Sequence, residues 1–208
     1  MDAYPLDEHD LCTVCRESMA NFDTAYSFGS YEGPLQKLIH LFKYGKVETL
    51  AAPLSRLLWS ALPAGGAKAD LVIAMPMHWR KKWDRGFNQA ELLAKPIAAR
   101  LGVRLNQSLR RKRHTRAQAG LSERQRQQNL QDAFAVKRRH EIAGKRILLI
   151  DDVFTTGASL RAAARTLKLA GAARVEALTL ARVDRRALRE IPAATGKPSY
   201  EPVGCGVT

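Results

Sequence analysis

Long hydrophobic runs are missing from this chain of 208 residues. No apolar stretch approaches the roughly 18 residues that a membrane-spanning helix needs, and the best candidates are interrupted by Arg56, Ser60 and Pro63. Met1 to Asp10 is acidic and lacks the basic-then-apolar order of a signal peptide. Cysteine is scarce. Of the three, Cys12 and Cys15 sit close together and Cys205 is far away, which excludes an oxidising disulfide framework. A cytoplasmic protein with no membrane insertion is the expectation. No Gly-Lys-Ser/Thr ending occurs, so a Walker-type phosphate loop is excluded. Internal repeats are absent too.

Acidic residues are also in deficit, 20 against 34 Lys and Arg, for a net charge of +14. Much of that excess is local. Arg110 to Arg139 carries 10 Lys/Arg against 2 acids, and Arg80 to Arg85 carries 4 against 1, so these two segments hold 11 of the 14 excess charges. Pyrophosphate or a nucleic-acid backbone would each account for such focusing. A hydrophobic content of 46% suffices for one packed domain of ordinary size.

The most informative segment runs from Arg146 to Leu160. Ile147 to Ile150 reads as a strand buried on both faces, as in the middle of a parallel sheet. Asp151 and Asp152 follow at its carboxyl end, then Thr155-Thr156-Gly157-Ala158-Ser159, then an amphipathic helix. Ligands of open α/β sheets lie outside the carboxyl ends of the strands. A loop of small residues opening a helix offers backbone N–H groups and the positive end of a dipole to a phosphate. Two acids beside it could hold hydroxyls or Mg²⁺. A sugar phosphate carrying a metal suits that combination.

Elsewhere, Phe22 to Glu32 suggests two short strands around Gly29. Pro34 opens a helix that Gly45 stops, and a second helix spans Glu48 to Leu62. Leu71 to Met75 reads as a strand passing at Pro76 into the basic loop around Arg80 and Arg85. Asn88 to Leu101 is helical and Val103 to Leu105 is a brief strand. Arg110 to Asn129 shows no strand period and reads as a mobile loop with some helix, followed by an edge strand at Phe134 to Val136. A helix over Leu160 to Ala170 and a strand over Val175 to Ala181 complete the pattern. Strand, loop and helix recurring from Leu71 imply an α/β fold with a doubly wound parallel sheet. Residues 22–183 form the domain, 1–21 a short N-terminal Cys-x-x-Cys segment and 184–208 a flexible tail.

Arg146 to Leu160 resembles the phosphoribosyl pyrophosphate (PRPP) motif of type I phosphoribosyltransferases. Tyr31-Glu32-Gly33-Pro34, Lys43-Tyr44-Gly45 and Arg85-Gly86-Phe87-Asn88-Gln89 are similar to the ComF (competence protein F) family, as is the set Arg111, Gln118, Leu121, Arg126, Asn129 and Phe134. The resemblance implies a phosphoribosyltransferase-like fold and an association with DNA uptake in natural transformation, with other competence proteins as candidate partners. It brings no settled reaction.

By that resemblance, Asp151 and Asp152 would hold ribose hydroxyls, directly or through Mg²⁺. Thr155, Thr156, Gly157, Ala158 and Ser159 would wrap the 5′-phosphate, and Arg80 and Arg85 would face pyrophosphate. Arg111, Arg113, Gln118 and Arg126 would belong to the flexible loop that closes over the ligand. The activity expected is pentosyl transfer. The alternatives are a non-catalytic single-stranded DNA-binding accessory, with Trp79, Trp83 and Phe87 as aromatic rings among cations, and a PRPP-responsive regulator.

Two features depart from the pattern. Some transferases of this fold place an acid before the motif's glycine as general base; here that residue is Thr156, so no catalytic base is identified. Longer ComF members carry further Cys-x-x-Cys pairs, enough for a tetrahedral zinc site, whereas Cys12 and Cys15 supply half of one. The N-terminal segment therefore reads as the remnant of a zinc ribbon, with zinc at full occupancy not expected.

Overall fold

The structure is a computed structural model that describes residues 21–64, 66–77, 83, 86–112 and 133–183. The expectations for Cys12, Cys15, Trp79, Arg80, Arg85, Arg113, Gln118, Arg126 and the 184–208 tail lie outside the described residues.

Five strands form one parallel sheet: β1 (Thr24–Ser30), β2 (Leu71–Ala74), β3 (Arg104–Asn106), β6 (Arg146–Phe154) and β7 (Arg174–Arg182), in the spatial order β1-β7-β6-β2-β3. β4 (Leu109–Arg111) and β5 (Phe134–Val136) pair antiparallel in a separate ribbon. The helices are α1 (Gly33–Tyr44), α2 (Ala51–Ser60), α3 (Gln89–Leu101) and α4 (Ala158–Leu169). Among the described residues, no helix is long and apolar enough to cross a membrane.

Alternation along β6 divides the core. Ile147 and Leu149 face α4 and the β4–β5 ribbon, while Leu148 and Ile150 face α1, α2 and α3. All four are 0–1% exposed, so helices cover both faces of the sheet as the unbroken aliphatic run requires. Each such burial contributes about 1.5–3 kcal/mol relative to exposure. The helix ends follow their sequence signals. Pro34 lies in the first turn of α1, the Asn88 side chain accepts from Ala90 N at the start of α3, and Gly102 closes α3 at φ +69°.

Several expected boundaries move. Phe22 to Glu32 contains one strand, because Gly29 pairs in register with Ala181 and the ladder runs through it. The helix expected from Glu48 is a 3₁₀ turn, Glu48–Leu50, followed by α2. Pro53, which has no N–H to donate, is accommodated in the first turn of α2. The stretch from Arg110 does hold strand, since Arg110 and Arg111 pair with Ala135 and Phe134. Three residues are too few to show a period. Phe134–Val136 is accordingly not an edge of the main sheet.

Candidate functional site

A crevice at the carboxyl edge of the sheet arises from a mismatch in strand length. β2 ends at Ala74, opposite Ile150, and Met75 N donates a last bond to Ile150 O (2.8 Å) before Pro76, which has no N–H. β6 continues to Phe154, still paired with β7 through Asp151↔Thr179, Val153↔Ala181 and Phe154↔Arg182. From Asp151 onward β6 has a neighbour on one side only. The acids, expected just past the strand, lie within it, and the open side is the crevice. It falls where the chain order reverses, since β3 lies to one side of β2 and β6 and β7 to the other.

Asp151 and Asp152 alternate in direction, and they differ in surroundings. Asp152 pairs with Lys43 Nζ at 2.8 Å, the two side chains being 13% and 15% exposed. Asp151 accepts a bond from Asp152 N (2.9 Å). Burial, reinforced by the adjacent Asp152 charge, pushes the Asp151 carboxyl up to about 7, against the pull of the Asp152 N–H, Lys43 and Arg111. Arg111, on β4, adds a positive charge to the surroundings of Asp151, and its guanidinium lies 5.7 Å from the Phe134 ring.

The turn from β6 into α4 is set by Gly157, at φ +70° and ψ 0°. A Cβ there would lie 2.5 Å from Phe154 Cζ and 2.9 Å from Arg161 Nη1, so glycine is required both by conformation and by space. As the residue capping α4, Gly157 has no side chain to occupy the first N–H groups of the helix. Thr156 Oγ1 accepts from Ala158 N (3.2 Å), and Arg161 Nη2 donates to Thr156 O (2.8 Å). Thr155 and Thr156 are exposed, and Ala158 and Ser159 are half-buried. Of the residues named from the sequence, the acid pair and Thr155–Gly157 follow one another along β6 and its exit turn, Ala158 and Ser159 begin α4, and Arg111 stands on β4.

A cavity of about 320 Å³ adjoins on the β3 side, lined among others by Pro76, Asn88, Glu91, Gln107, Arg110 and Arg111. Asn88 Nδ2 donates to Met75 O (3.1 Å), so it draws together the two ends of the loop that leaves β2. Phe87 is core, 8% exposed, with its ring 5.8 Å from that of Phe42. Trp83, by contrast, is 85% exposed.

Sequence reasoning assigned no role to Lys43, Asn88 or Arg161. Lys43 did carry a signal. It stands four positions after the buried Ile39, on the inward stripe of α1, where a lysine needs a partner. For metal, no cluster of three or more His, Cys, Asp or Glu side chains occurs among the described residues. Either carboxylate could serve an ion that takes its remaining ligands from water and phosphate oxygens, as Mg²⁺ commonly does.

Sheet order, crevice and turn define a protein of the phosphoribosyltransferase-like α/β class. The phosphoribosyl transferase domain family matches residues 88–199. Competence protein F of Haemophilus influenzae is 33% identical over 178 residues, 82% of this chain and 78% of that protein. DNA utilization protein YhgH of Escherichia coli K12 is 32% identical over 180 residues, 84% of this chain and 78% of that one. Competence protein ComFC of Bacillus subtilis is 30% identical over 191 residues, 86% and 75%. Among solved structures, a glutamine PRPP amidotransferase from B. subtilis aligns with a TM-score of 0.46 and 22% identity, over 63% of this chain and 26% of that one. The chain belongs to the phosphoribosyl transferase domain family and, within it, to the ComF group of competence protein F, ComFC and YhgH.

Proposed function

We propose that this protein binds PRPP, or a closely related phosphorylated ribose, together with Mg²⁺, and that it serves DNA uptake as its relatives' names indicate. The observation that carries the reading is the turn at Gly157, where a left-handed glycine with no side chain of its own leads from β6, which carries Asp151 and Asp152, into the N-terminus of α4. In this reading the helix N–H groups and the Thr155 and Thr156 hydroxyls take the 5′-phosphate. The acids take the ribose hydroxyls or the ion, and the loop after Pro76, with Arg80 and Arg85, faces pyrophosphate. Mg²⁺ would supply charge neutralisation of the phosphates. Arg113, Gln118 and Arg126 would close over the ligand and exclude water, with Arg111 held on β4 at the start of that segment. The activity such a site supports is pentosyl transfer with loss of pyrophosphate. Calorimetric titration with PRPP, with and without Mg²⁺, tests it: Mg²⁺-dependent saturable binding is expected, and no heat under either condition overturns the reading.

A second reading is favoured by one observation, the exposure of Trp83 within a basic segment. An exposed indole among cations suits stacking on single-stranded DNA. Such binding would make the protein a DNA-handling accessory located in the cytoplasm, whose phosphate crevice senses PRPP.

A further inference from the structure

We infer that Lys43 is the resident counter-ion of the acid pair, and that a divalent cation must displace it from Asp152. The inference rests on the proposed Mg²⁺–ribose phosphate reading of the same crevice and adds the device by which metal without ligand is kept out.

Lys43 does not come from the loops that surround the crevice. It reaches Asp152 from α1, a helix anchored by Ile39 and Phe42, both 0% exposed. Just past Lys43, a Cβ on Gly45 would lie 2.8 Å from Leu41 O, so that position favours glycine. Within Lys43-Tyr44-Gly45, then, one residue turns inward to the acids, Tyr44 stays 59% exposed, and the glycine lets the helix stop. At 2.8 Å the ammonium occupies Asp152 Oδ1, one of the two oxygens that this carboxylate could offer a metal ion.

Charge decides the exchange. With little water around the pair, an ammonium and a divalent ion on the same carboxylate repel strongly. Arg111 adds a further positive charge to the surroundings of Asp151. A metal ion arriving alone therefore meets a neutralised site. An ion arriving with a polyanionic ligand brings compensating charge, and the ligand's oxygens give the released ammonium a new partner. Metal and ligand binding become coupled through Lys43.

The test uses the full-length protein and its Lys43→Met, Lys43→Gln and Lys43→Arg variants. Mn²⁺ binding is followed by electron paramagnetic resonance with and without PRPP. The measurements are made at about pH 8, where protons compete little for the carboxylates. Without PRPP, Lys43→Met should bind Mn²⁺ about tenfold more tightly than wild type, because the competing charge is gone. Lys43→Gln, which keeps a hydrogen-bond donor for Asp152, should show the same gain if Lys43→Met does not fold. Lys43→Arg should stay at the wild-type level. Mg²⁺ alone should raise the melting temperature of the neutral variants and leave that of wild type flat. Unchanged or weaker Mn²⁺ binding in both neutral variants overturns the inference. Failure of wild type to bind Mn²⁺–PRPP overturns the ligand reading instead, while the metal-only comparison still judges Lys43.

Discussion

Asn88 bridges the mouth of the loop that leaves β2, donating from Nδ2 to Met75 O while its Oδ1 caps α3 at Ala90 N. The two functions separate by substitution. Asn88→Asp keeps the cap and loses the donor, so it should weaken PRPP binding while leaving the melting temperature close to wild type. Asn88→Ala loses both and should cost ~1–2 kcal/mol by thermal or urea unfolding. Equal stability loss in both variants would show that the bond to Met75 is what holds the fold.

Gly157→Ala meets a double penalty, a left-handed backbone and a Cβ within 2.5 Å of the Phe154 ring. The backbone alone costs about 1–2 kcal/mol. Phe154 also stacks edge-on against Phe22 at 6.0 Å, so its ring is not free to move aside. Unfolding measurements should show a loss of at least that size, and calorimetry should show PRPP binding abolished.

Asp151→Asn combined with Asp152→Asn should eliminate Mg²⁺-dependent PRPP binding in a folded protein, checked by calorimetry and circular dichroism. In wild type the same binding should strengthen as pH rises through about 7, because a neutral Asp151 must release its proton to hold an ion. Stability should respond with the opposite sign. A carboxyl raised from 3.8 to about 7 by folding removes stability as pH climbs across that window.

Asp70 behaves in the reverse way. Bonds from Arg146 N (2.8 Å) and Arg146 Nη2 (2.7 Å) hold its carboxyl at about 2, below the ordinary 3.8. The stabilisation is present above the ordinary value and is lost as pH falls through about 2. Both side chains are partly exposed, so Asp70→Asn should cost about 1 kcal/mol or less at neutral pH and flatten the acid limb of the unfolding curve.

If the Arg110–Arg139 segment binds single-stranded DNA, log K should fall against log salt with a slope of about −0.7 per phosphate engaged. Neutralising Arg111, Arg113 and Arg126 together should flatten the slope by about two units. A salt-independent signal, or none at about 50 mM salt, would remove the DNA reading, because phosphate contacts require counterion release.

The core strand was legible, since four aliphatic residues in a row, Ile147 to Ile150, suit only burial on both faces. The helix after Gly157 was legible too, but it starts at Ala158 and takes in Ser159, ahead of the expected Leu160. The extent of β6 was not legible. Two aspartates are poor strand formers, and it is pairing with Thr179 and Ala181 on β7 that overrides their local preference. Lys43 was hidden for a different reason. Its partner lies over a hundred positions away, and no local pattern reports a contact made across the sheet. The β4–β5 ribbon escaped because its pairing, Leu109 with Val136, spans a long polar insertion.

β1 has its ladder partner at the opposite end of the domain: Ser27 and Thr179, 152 positions apart, share a hydroxyl–hydroxyl bond of 2.7 Å. During synthesis β1, the first of the described strands, thus waits for β7 before it finds its place in the sheet. Until β7 leaves the ribosome, Ile39 and Phe42 on α1 have no finished sheet to cover, and Lys43 has already had to wait for β6 to bring its aspartate. So distant a pairing raises contact order and slows folding. It also makes the nascent N-terminal third a natural client for chaperones, and a release of the chain before β7 is complete would leave sticky, unpaired strands rather than a smaller working domain.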